Sequence, residues 1–335
     1  MDKDAAVQWV TSDARWYAAE RRGWLFAHRY WLARRLTQIF VLLIFMLGPW
    51  VGLWIARGNF ASSQILGVLP LSDPFISLQS LLAGHWPRMT EWIGVAIIIL
   101  FYWFVGGRVY CSWVCPVNVV TDTAHWLREK LGLTRDRKLD RRTRILLVYA
   151  ALAASFFSGM IAWEFVNPVS ILQRGLIFGM GAGWGIIALV FALDLFVTRR
   201  GWCSHLCPVG AFYGMLGTKS VVRISASKRD VCTDCGACFK ACPEPHVITP
   251  ALKGTGTFLI TSRDCTNCAA CIDSCYVDVF EFRTRLNALE VPPRKEPAPR
   301  TPEEFLEPRA KGPETPPKKE RASRVPEASV SSGRT

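Results

Sequence analysis

Apolar residues along the chain are concentrated in four long stretches that alternate with polar or charged segments. The stretches cover residues 36–56, 91–109, 145–163 and 175–198; the first and third contain no charged residue, and the fourth contains one, Asp194. A helix of about 20 mostly apolar residues is long enough to cross hydrocarbon about 30 Å thick. The pattern therefore predicts an α-helical integral membrane protein with four transmembrane helices.

Basic residues alternate between the two sides of these predicted spans. Segment 1–35 contains seven Lys or Arg residues and loop 108–144 contains nine, whereas loop 57–91 contains two and loop 164–174 contains one. Because positive residues are enriched on the cytoplasmic side, this distribution predicts that both termini are cytoplasmic. Membrane topology then accounts for the net charge of +13, and no nucleic-acid partner is predicted.

Composition and motifs divide the chain into five segments. We predict an interfacial segment over 1–35, a transmembrane domain over 36–200, a linker over 201–224, a small α+β domain over 225–285 and a disordered tail over 291–335. Trp recurs among Arg residues in the first segment, which fits an amphipathic helix on the inner leaflet or a helix that docks a partner. The tail holds ten of the twenty Pro and cannot bury a core.

The transmembrane domain contains an internal repeat. Asp-Pro-Phe-Ile-Ser-Leu-Gln beginning at Asp73 matches Asn-Pro-Val-Ser-Ile-Leu-Gln beginning at Asn167, and Cys-Ser-Trp-Val-Cys-Pro-Val beginning at Cys111 matches Cys-Ser-His-Leu-Cys-Pro-Val beginning at Cys203. The two offsets are 94 and 92 residues, so chance is a poor explanation. Each predicted helical hairpin therefore ends on the cytoplasmic side in C-x3-C-P.

Eight of the twelve cysteines form two runs of identical spacing, C-x2-C-x2-C-x3-C, in the segment 225–285. This is the run of two-cluster bacterial ferredoxins, in which the fourth Cys of each run binds the other [4Fe–4S] cluster. The first cluster is therefore predicted to use Cys232, Cys235, Cys238 and Cys275. The second is predicted to use Cys265, Cys268, Cys271 and Cys242. A pair of zinc sites is the alternative, since paired cysteines also bind zinc.

The remaining four cysteines belong to the C-x3-C-P motifs: Cys111, Cys115, Cys203 and Cys207. Repeat symmetry predicts that they come together, where they would hold a further cluster or a soft metal such as Cu(I), or form reversible disulfides. Free structural thiols are the alternative. His125 and His205 flank the motifs as candidate supporting groups.

The combined motifs resemble the polyferredoxin-like membrane proteins, and most closely their NapH-type members, from about residue 23 to 285. The resemblance rests on YCSWVCPVN at 110–118, WEFVNPVS at 163–170, GWCSHLCPVGA at 201–211 and CPEPHV at 242–247, together with the double cluster motif. It implies a quinol dehydrogenase component in the bacterial inner membrane, in contact with lipid and the quinone pool. Its implied partners are a periplasmic ferredoxin-type subunit and a multihaem c-type cytochrome of a periplasmic nitrate reductase system.

Quinol oxidation requires proton acceptors, and the candidates are Glu164, Asp194 and His85, since ionisable groups in or beside a span are functional by default. Two other functions remain open. The chain is alternatively a copper reductase or maturation factor that uses the C-x3-C-P thiols, or a scaffold that docks a partner's ferredoxin subunit.

Overall fold

A computed structural model describes residues 23–133, 139–179, 181, 183–232, 236–253 and 257–286. Most of the predicted interfacial segment (1–22), the whole predicted tail (291–335) and Cys235 lie outside the described residues. All described residues belong to one compact unit. That unit is mostly helical, with short β-strands at two places.

The described α-helices are α1 (Trp24–Ala27), α2 (Arg29–Val51), α3 (Pro74–Leu82), α4 (Met89–Val105), α5 (Val117–Lys130), α6 (Arg142–Ser158), α7 (Pro168–Phe178), α8 (Gly183–Ala192), α9 (Pro208–Leu216), α10 (Ala237–Ala241), α11 (Thr249–Lys253) and α12 (Ala270–Ser274). The described strands are β1 (Ala56–Gly58), β2 (Ser62–Ile65), β3 (Leu69–Ser72), β4 (Val222–Ser225) and β5 (Glu281–Thr284). β1, β2 and β3 form an antiparallel sheet, and β4 pairs antiparallel with β5.

Three of the four predicted spans coincide with single helices. The stretches 36–56, 91–109 and 145–163 fall on α2, α4 and α6, with shifted boundaries. Among the described helices, α2 is long and apolar enough to cross a membrane, while α4 and the segment Gly183–Val197 are apolar but shorter.

The fourth predicted span, 175–198, is wrong as a single helix. Helix α7 ends at Phe178, Gly179 follows with a φ of +90°, and α8 begins only at Gly183. Glycine has no Cβ and adopts positive φ at little cost, so the glycine-rich run ends one helix before the next begins. A π-helical turn over Leu193–Val197 follows α8.

Helices α3 and α7 occupy equivalent places in the two repeats and begin in the same way. The Asp73 carboxylate accepts hydrogen bonds from the N–H groups of Phe75 and Ile76, at 2.7 and 3.4 Å. The Asn167 side chain accepts one from Val169 N–H at 3.1 Å. Each cap is followed by proline at the first helical position, where the missing N–H is not needed.

The amino ends of four helices meet in one core. Phe75 of α3, Val117 of α5, Val169 of α7 and Val209 of α9 are all buried in the same cluster. The ring centroids of Phe75 and Phe212 lie 5.2 Å apart. The segments between the long helices therefore enter the bundle and pack against the C-x3-C-P motifs, and do not remain surface loops.

Two buried glutamines join the repeats to each other. Gln79 Oε1 accepts hydrogen bonds from Ser155 Oγ at 3.0 Å and from the Trp163 N–H at 3.1 Å. Its repeat equivalent, Gln173, accepts one from the Phe60 N–H at 3.1 Å. Each glutamine thus bonds to the segment that precedes the equivalent helix of the other repeat, which is an arrangement expected of two halves related by a pseudo-twofold axis.

Large apolar side chains remain exposed on the long helices of both repeats. On α2 and α4 they include Leu36, Ile39, Phe40, Leu43, Leu100, Phe101 and Phe104. On α6 and α8 they include Leu146, Tyr149, Phe156, Phe157, Trp184 and Leu189. Soluble monomers rarely expose so much contiguous apolar surface, so these faces require an apolar partner or lipid.

The end of α4 and the end of α9 pack so closely that only glycine fits. A Cβ on Gly107 would lie 1.8 Å from the carbonyl O of Tyr213 and 2.6 Å from the N of Gly217. Both are backbone atoms, so the chain itself must move, and we expect Gly107→Ala to destabilise the protein by about 3 kcal/mol or more. Denaturant unfolding in detergent measures the difference.

Gly185→Ala is the matched control for this prediction. A Cβ on Gly185, in α8, meets nothing within 4 Å. Alanine is a better helix former than glycine, so this variant should be about 0.5–1 kcal/mol more stable than the wild type. Equal stability of the two variants would contradict the close packing at Gly107.

Candidate functional site

The two C-x3-C-P motifs fold as matching single turns and not as continuous helices. Tyr110–Val114 and Trp202–Leu206 are π-helical turns, and the next residues, Cys115 and Cys207, are extended. Pro116 and Pro208 then stand at the starts of α5 and α9. Because the second Cys of each motif is extended, the two sulfurs of a motif do not lie on one face of a continuous helix.

The motifs of the two repeats nevertheless meet around Gly210. The Gly210 N–H donates a hydrogen bond to Cys207 Sγ at 3.5 Å. A Cβ on Gly210 would lie 3.6 Å from Cys111 Sγ and 3.7 Å from the carbonyl O of Cys203. Cys115 is buried in the core next to these residues. Thiols from both repeats thus lie around Gly210, which has no side chain to fill the space between them. Such a set of thiols suits an iron–sulfur cluster.

An arginine stands three residues before the first Cys of each motif, at Arg108 and Arg200, and neither is among the site residues predicted from the sequence. Arg108 is almost fully buried, and its Nη2 donates to the carbonyl O of Cys203 at 3.0 Å. Arg200 pairs with Asp122 at 3.0 Å. Burial raises the pKa of the Asp122 carboxyl, but the charges of Arg200 and Arg35 outweigh this effect and hold that pKa below its ordinary value. The repeat alignment was the signal that could have revealed both arginines.

Arg108 links the C-x3-C-P region to the two-run segment. Its Nη1 donates to the carbonyl O of Asp264 at 2.8 Å and to Glu244 Oε1 at 3.3 Å. Glu244 follows Cys242-Pro243, and Asp264 precedes Cys265, so one guanidinium contacts the segments next to both cysteine runs. An arginine that is this deeply buried requires such charge pairing, because an unpaired buried charge is costly.

Further basic groups surround the carboxylates of Glu244 and Asp264. Arg144 forms ion pairs with both Glu244 and Asp264, and His246 hydrogen-bonds Asp264 at 3.0 Å. Burial raises the pKa of the Asp264 carboxyl. The hydrogen bond from His246 and the charges of Arg144 and Arg108 outweigh that effect and hold this pKa well below its ordinary value. Asp264 is therefore ionised at neutral pH.

In both cysteine runs, a residue with positive φ stands directly before a short helix. Gly236, with a φ of +74°, precedes α10, and Ala269, with a φ of +57°, precedes α12 at the equivalent place. Asn267 also has a positive φ. Backbone in this conformation turns successive N–H groups toward one side, which suits the sulfurs of a cluster.

Four cysteines of the two-run segment line one cavity: Cys242, Cys265, Cys268 and Cys271. Apolar side chains, among them Ile224, Ile248 and Ile260, form its other wall. These are the four ligands predicted for the second cluster, including the Cys taken from the other run. For the first cluster, Cys232, Cys238 and Cys275 belong to the same core, and Cys235 lies outside the described residues.

The second cysteine loop contacts the first C-x3-C-P motif directly. Ser112 Oγ donates to the carbonyl O of Thr266 at 2.9 Å, and Trp113 Nε1 donates to that of Asn267 at 3.1 Å. Asn267 Nδ2 in turn donates to the carbonyl O of Val105 at 3.0 Å. The loop that carries Cys265 and Cys268 is therefore fixed to the turn that carries Cys111.

The three predicted proton acceptors lie in different surroundings. Asp194 is fully buried; its Oδ1 accepts the Trp202 N–H at 2.9 Å, and its Oδ2 has no hydrogen-bond partner among the described residues. Glu164 pairs with Arg174 at 3.1 Å, and His85 is exposed after α3.

The two predicted supporting histidines flank different elements. His125 lies on α5, and its Nε2 is 3.2 Å from Nη2 of Arg199. His205 belongs to the second cysteine turn, Trp202–Leu206.

Family models account for both cysteine-bearing regions. A 4Fe-4S binding domain matches residues 89–134 and again 180–226, so each match includes one C-x3-C-P motif. A 4Fe-4S dicluster domain matches residues 231–279. The C-x3-C-P motifs and the two-run segment are thus both regions of iron–sulfur binding proteins.

Curated relatives are similar over most of their length. The methylamine utilization ferredoxin-type protein MauN of Methylorubrum extorquens is 66% identical over 79% of this chain and 92% of its own. MauN of Paracoccus denitrificans is 64% identical over 84% and 99%, and the ferredoxin-type protein NapH of Escherichia coli is 44% identical over 82% and 96%. The chain belongs to the NapH/MauN family of ferredoxin-type proteins.

Membership of this family establishes a ferredoxin-type electron-transfer protein with 4Fe-4S binding domains. The NapH-type resemblance is confirmed at the level of the family, but both MauN relatives are more similar to this chain than NapH is. No solved structure matches the chain.

Proposed function

We propose that the chain is a membrane electron-transfer protein that takes electrons from quinol and passes them through three [4Fe–4S] centres. Two centres are held by the cysteine runs, as assigned from their spacing. The third is held by Cys111, Cys115, Cys203 and Cys207. Each centre would supply one-electron transfer, and the protein's own groups set its potential through hydrogen bonds to sulfur, charge and burial.

The contact between the second cysteine loop and the first C-x3-C-P turn is the observation that carries this proposal. Bonds from Ser112 and Trp113 to that loop hold two sets of cluster-forming thiols side by side. Arg108 reaches from one set to the other. A rigid, short separation suits electron transfer between centres and has no evident use in a protein that only binds metal.

Charge balance supports a cluster in the C-x3-C-P site. Four thiolates outweigh the positive charge of a [4Fe–4S] core, so the site carries net negative charge. The buried guanidinium of Arg108 lies beside it and donates to the carbonyl O of Cys203. Arg200, three residues before Cys203, is mostly buried and paired with Asp122. A buried negative charge of this kind is stabilised when a guanidinium group lies next to it.

The exposed apolar faces and the distribution of basic residues support a membrane location. The faces of α2, α4, α6 and α8 leave apolar side chains uncovered, as expected of helices in lipid. Lys and Arg are concentrated in segment 1–35 and loop 108–144, which the alternation of spans places on the same side as the ferredoxin segment. This distribution supports a cytoplasmic position for that segment. We therefore propose a multi-pass protein of the bacterial inner membrane.

The destination of the electrons is proposed from the relatives. Two proteins named for methylamine utilization are 64–66% identical to the chain and a third is 46% identical, whereas two NapH proteins are 44–45% identical. We therefore propose that the chain serves methylamine utilization, in place of the nitrate reductase system that the sequence alone suggested. A deletion strain should lose growth on methylamine and retain nitrate respiration. The reverse phenotype would favour the nitrate assignment.

Iron content and quinol reduction of the purified protein test the electron-transfer proposal. Anaerobic purification in detergent should give about twelve iron atoms per chain, four for each cube. A quinol analogue should then produce EPR signals of reduced clusters. About eight iron atoms with copper in the remaining site would favour the copper reductase. Reduction by dithionite but not by quinol would place the donor on the cytoplasmic side.

A further inference from the structure

A groove beside the second cysteine run is lined by groups that suit a flat aromatic ligand. Its walls come from α1 and the start of α2, from α5, and from the loop and helix that follow Cys268. Its volume, including the open mouth, is about 1200 Å³. Trp24, Trp31 and Trp126 line it and leave much of their indole surface exposed. Ligand pockets are typically apolar and aromatic with a few placed polar groups.

His28 supplies one such polar group with a defined tautomer. Its ring stacks on Trp24, with centroids 4.8 Å apart, and meets Trp31 edge-on. Its Nδ1 lies 2.9 Å from the carbonyl O of Trp24. A carbonyl oxygen only accepts hydrogen bonds, so Nδ1 must carry the proton, and Nε2 of the neutral ring is an acceptor.

Cys268 brings the groove to the iron–sulfur region. This cysteine lines the groove and also the cavity formed by Cys242, Cys265 and Cys271. Asp273 of α12 accepts the Trp31 N–H at 3.0 Å and so fixes the start of α2 against the same segment. A ligand held between the tryptophans would therefore lie next to the second cysteine run.

Beyond the groove, α2 carries exposed apolar side chains. Leu36, Ile39 and Phe40 are exposed on this helix beyond the groove, and α2 is long and apolar enough to cross a membrane. An apolar chain attached to the ring could lie along these side chains. The charged groups of the lining are of both signs: Arg34 and Arg200 stand with Asp122, Glu129 and Asp273. Arg200 is paired with Asp122 at 3.0 Å.

We propose that this groove binds the ring of a quinol, with Nε2 of His28 accepting a hydrogen bond from a ring hydroxyl and the isoprenoid chain lying along α2. The inference rests on the proposed function, because it names the place where its electron donor binds. It moves the quinol site away from the sequence-predicted Glu164, Asp194 and His85. The tryptophans stack on the ring, and the second cysteine run forms the adjacent wall.

Photoaffinity labelling of the full purified chain with an azido-quinone tests the location. Peptide mapping should place the label on the segments that contain Trp24–Trp31 and Trp126. Quenching of tryptophan fluorescence by the quinone gives the affinity without requiring turnover. His28→Phe keeps an aromatic ring but removes the acceptor, so binding should weaken roughly fivefold to tenfold, the effect of one lost hydrogen bond. Trp126→Ala should weaken it at least as much.

His85→Phe is the competing variant, and Tyr149→Phe, on an exposed face of α6, is the neutral control. Both should bind the quinone like the wild type, and all variants should retain the wild-type iron content. Label around His85 or Glu164, with normal binding by His28→Phe and Trp126→Ala, would overturn the inference and leave the proposed function intact. Displacement of the label by anionic phospholipid but not by unlabelled quinone would identify a lipid site and overturn it. Absence of saturable quinone binding would refute both proposals.

Discussion

Cys111→Ser is expected to lower the iron content from about twelve to about eight atoms per chain and to stop electron transfer from quinol. A serine hydroxyl is a poor ligand for iron, which prefers thiolate in these clusters. Cys111 lies 3.6 Å from the Cβ position of Gly210, in the site shared by both C-x3-C-P motifs. Iron analysis, EPR and quinol-dependent reduction of a terminal acceptor in membranes measure the result.

Cys268→Ser is the matched control, because it removes a ligand from a different predicted cluster. Cys268 lines the cavity of the second cysteine run. This variant should lose the EPR signal of one ferredoxin cluster and retain the centre at the C-x3-C-P motifs, whereas Cys111→Ser should show the opposite pattern. If Cys111→Ser contained as much iron as the wild type, the C-x3-C-P thiols would not hold a cluster.

Arg108→Met is expected to destabilise the protein by about 3–5 kcal/mol. The substitution leaves Glu244, the carbonyl O of Asp264 and that of Cys203 without their shared donor. The side chains of Arg108 and Glu244 are each 2% exposed, and breaking a buried pair from one side costs far more than breaking a surface pair. Denaturant unfolding in detergent, followed by cluster absorbance, measures the loss.

Arg174→Met provides the comparison for this prediction. Arg174 pairs with Glu164 at 3.1 Å, but its side chain is 60% exposed, so its removal should cost at most about 1 kcal/mol. Arg108→Lys should be intermediate, because one ammonium cannot reach three acceptors as the guanidinium does. It also keeps the test open if Arg108→Met fails to fold. Equal stabilities of Arg108→Met and Arg174→Met would contradict a structural role for the buried network.

The spacing of the cysteines predicted which four of them line the cavity at the second run. Cys242 is far in sequence from Cys265, Cys268 and Cys271, yet the ferredoxin pattern assigns it to them, and the four line one cavity. The C-x3-C-P motifs were likewise visible as a repeat. Cysteine spacing succeeds because tight loops leave few ways to present three sulfurs to one cube.

Hydropathy succeeded less well for the connecting segments. It placed α2, α4 and α6 but joined the end of α7 to α8, because a window of apolar residues does not register the positive φ of Gly179. It also left α3 and α7 as loops, although Phe75 and Val169 are buried with the C-x3-C-P motifs. A short amphipathic helix in a bundle interior is too brief for a hydropathy signal.

The linear sequence by itself determined the local features of this protein: its apolar helices, its helix caps and two sets of thiols with cluster spacing. Only the tertiary structure decided that Arg108 joins those sets and that Trp24, His28 and Trp126 meet beside Cys268. The reason is physical. Loop closure around a cluster and helix capping depend on residues a few positions apart, whereas burial of a guanidinium or assembly of a groove depends on segments about 100 or more residues apart, whose approach no local pattern encodes.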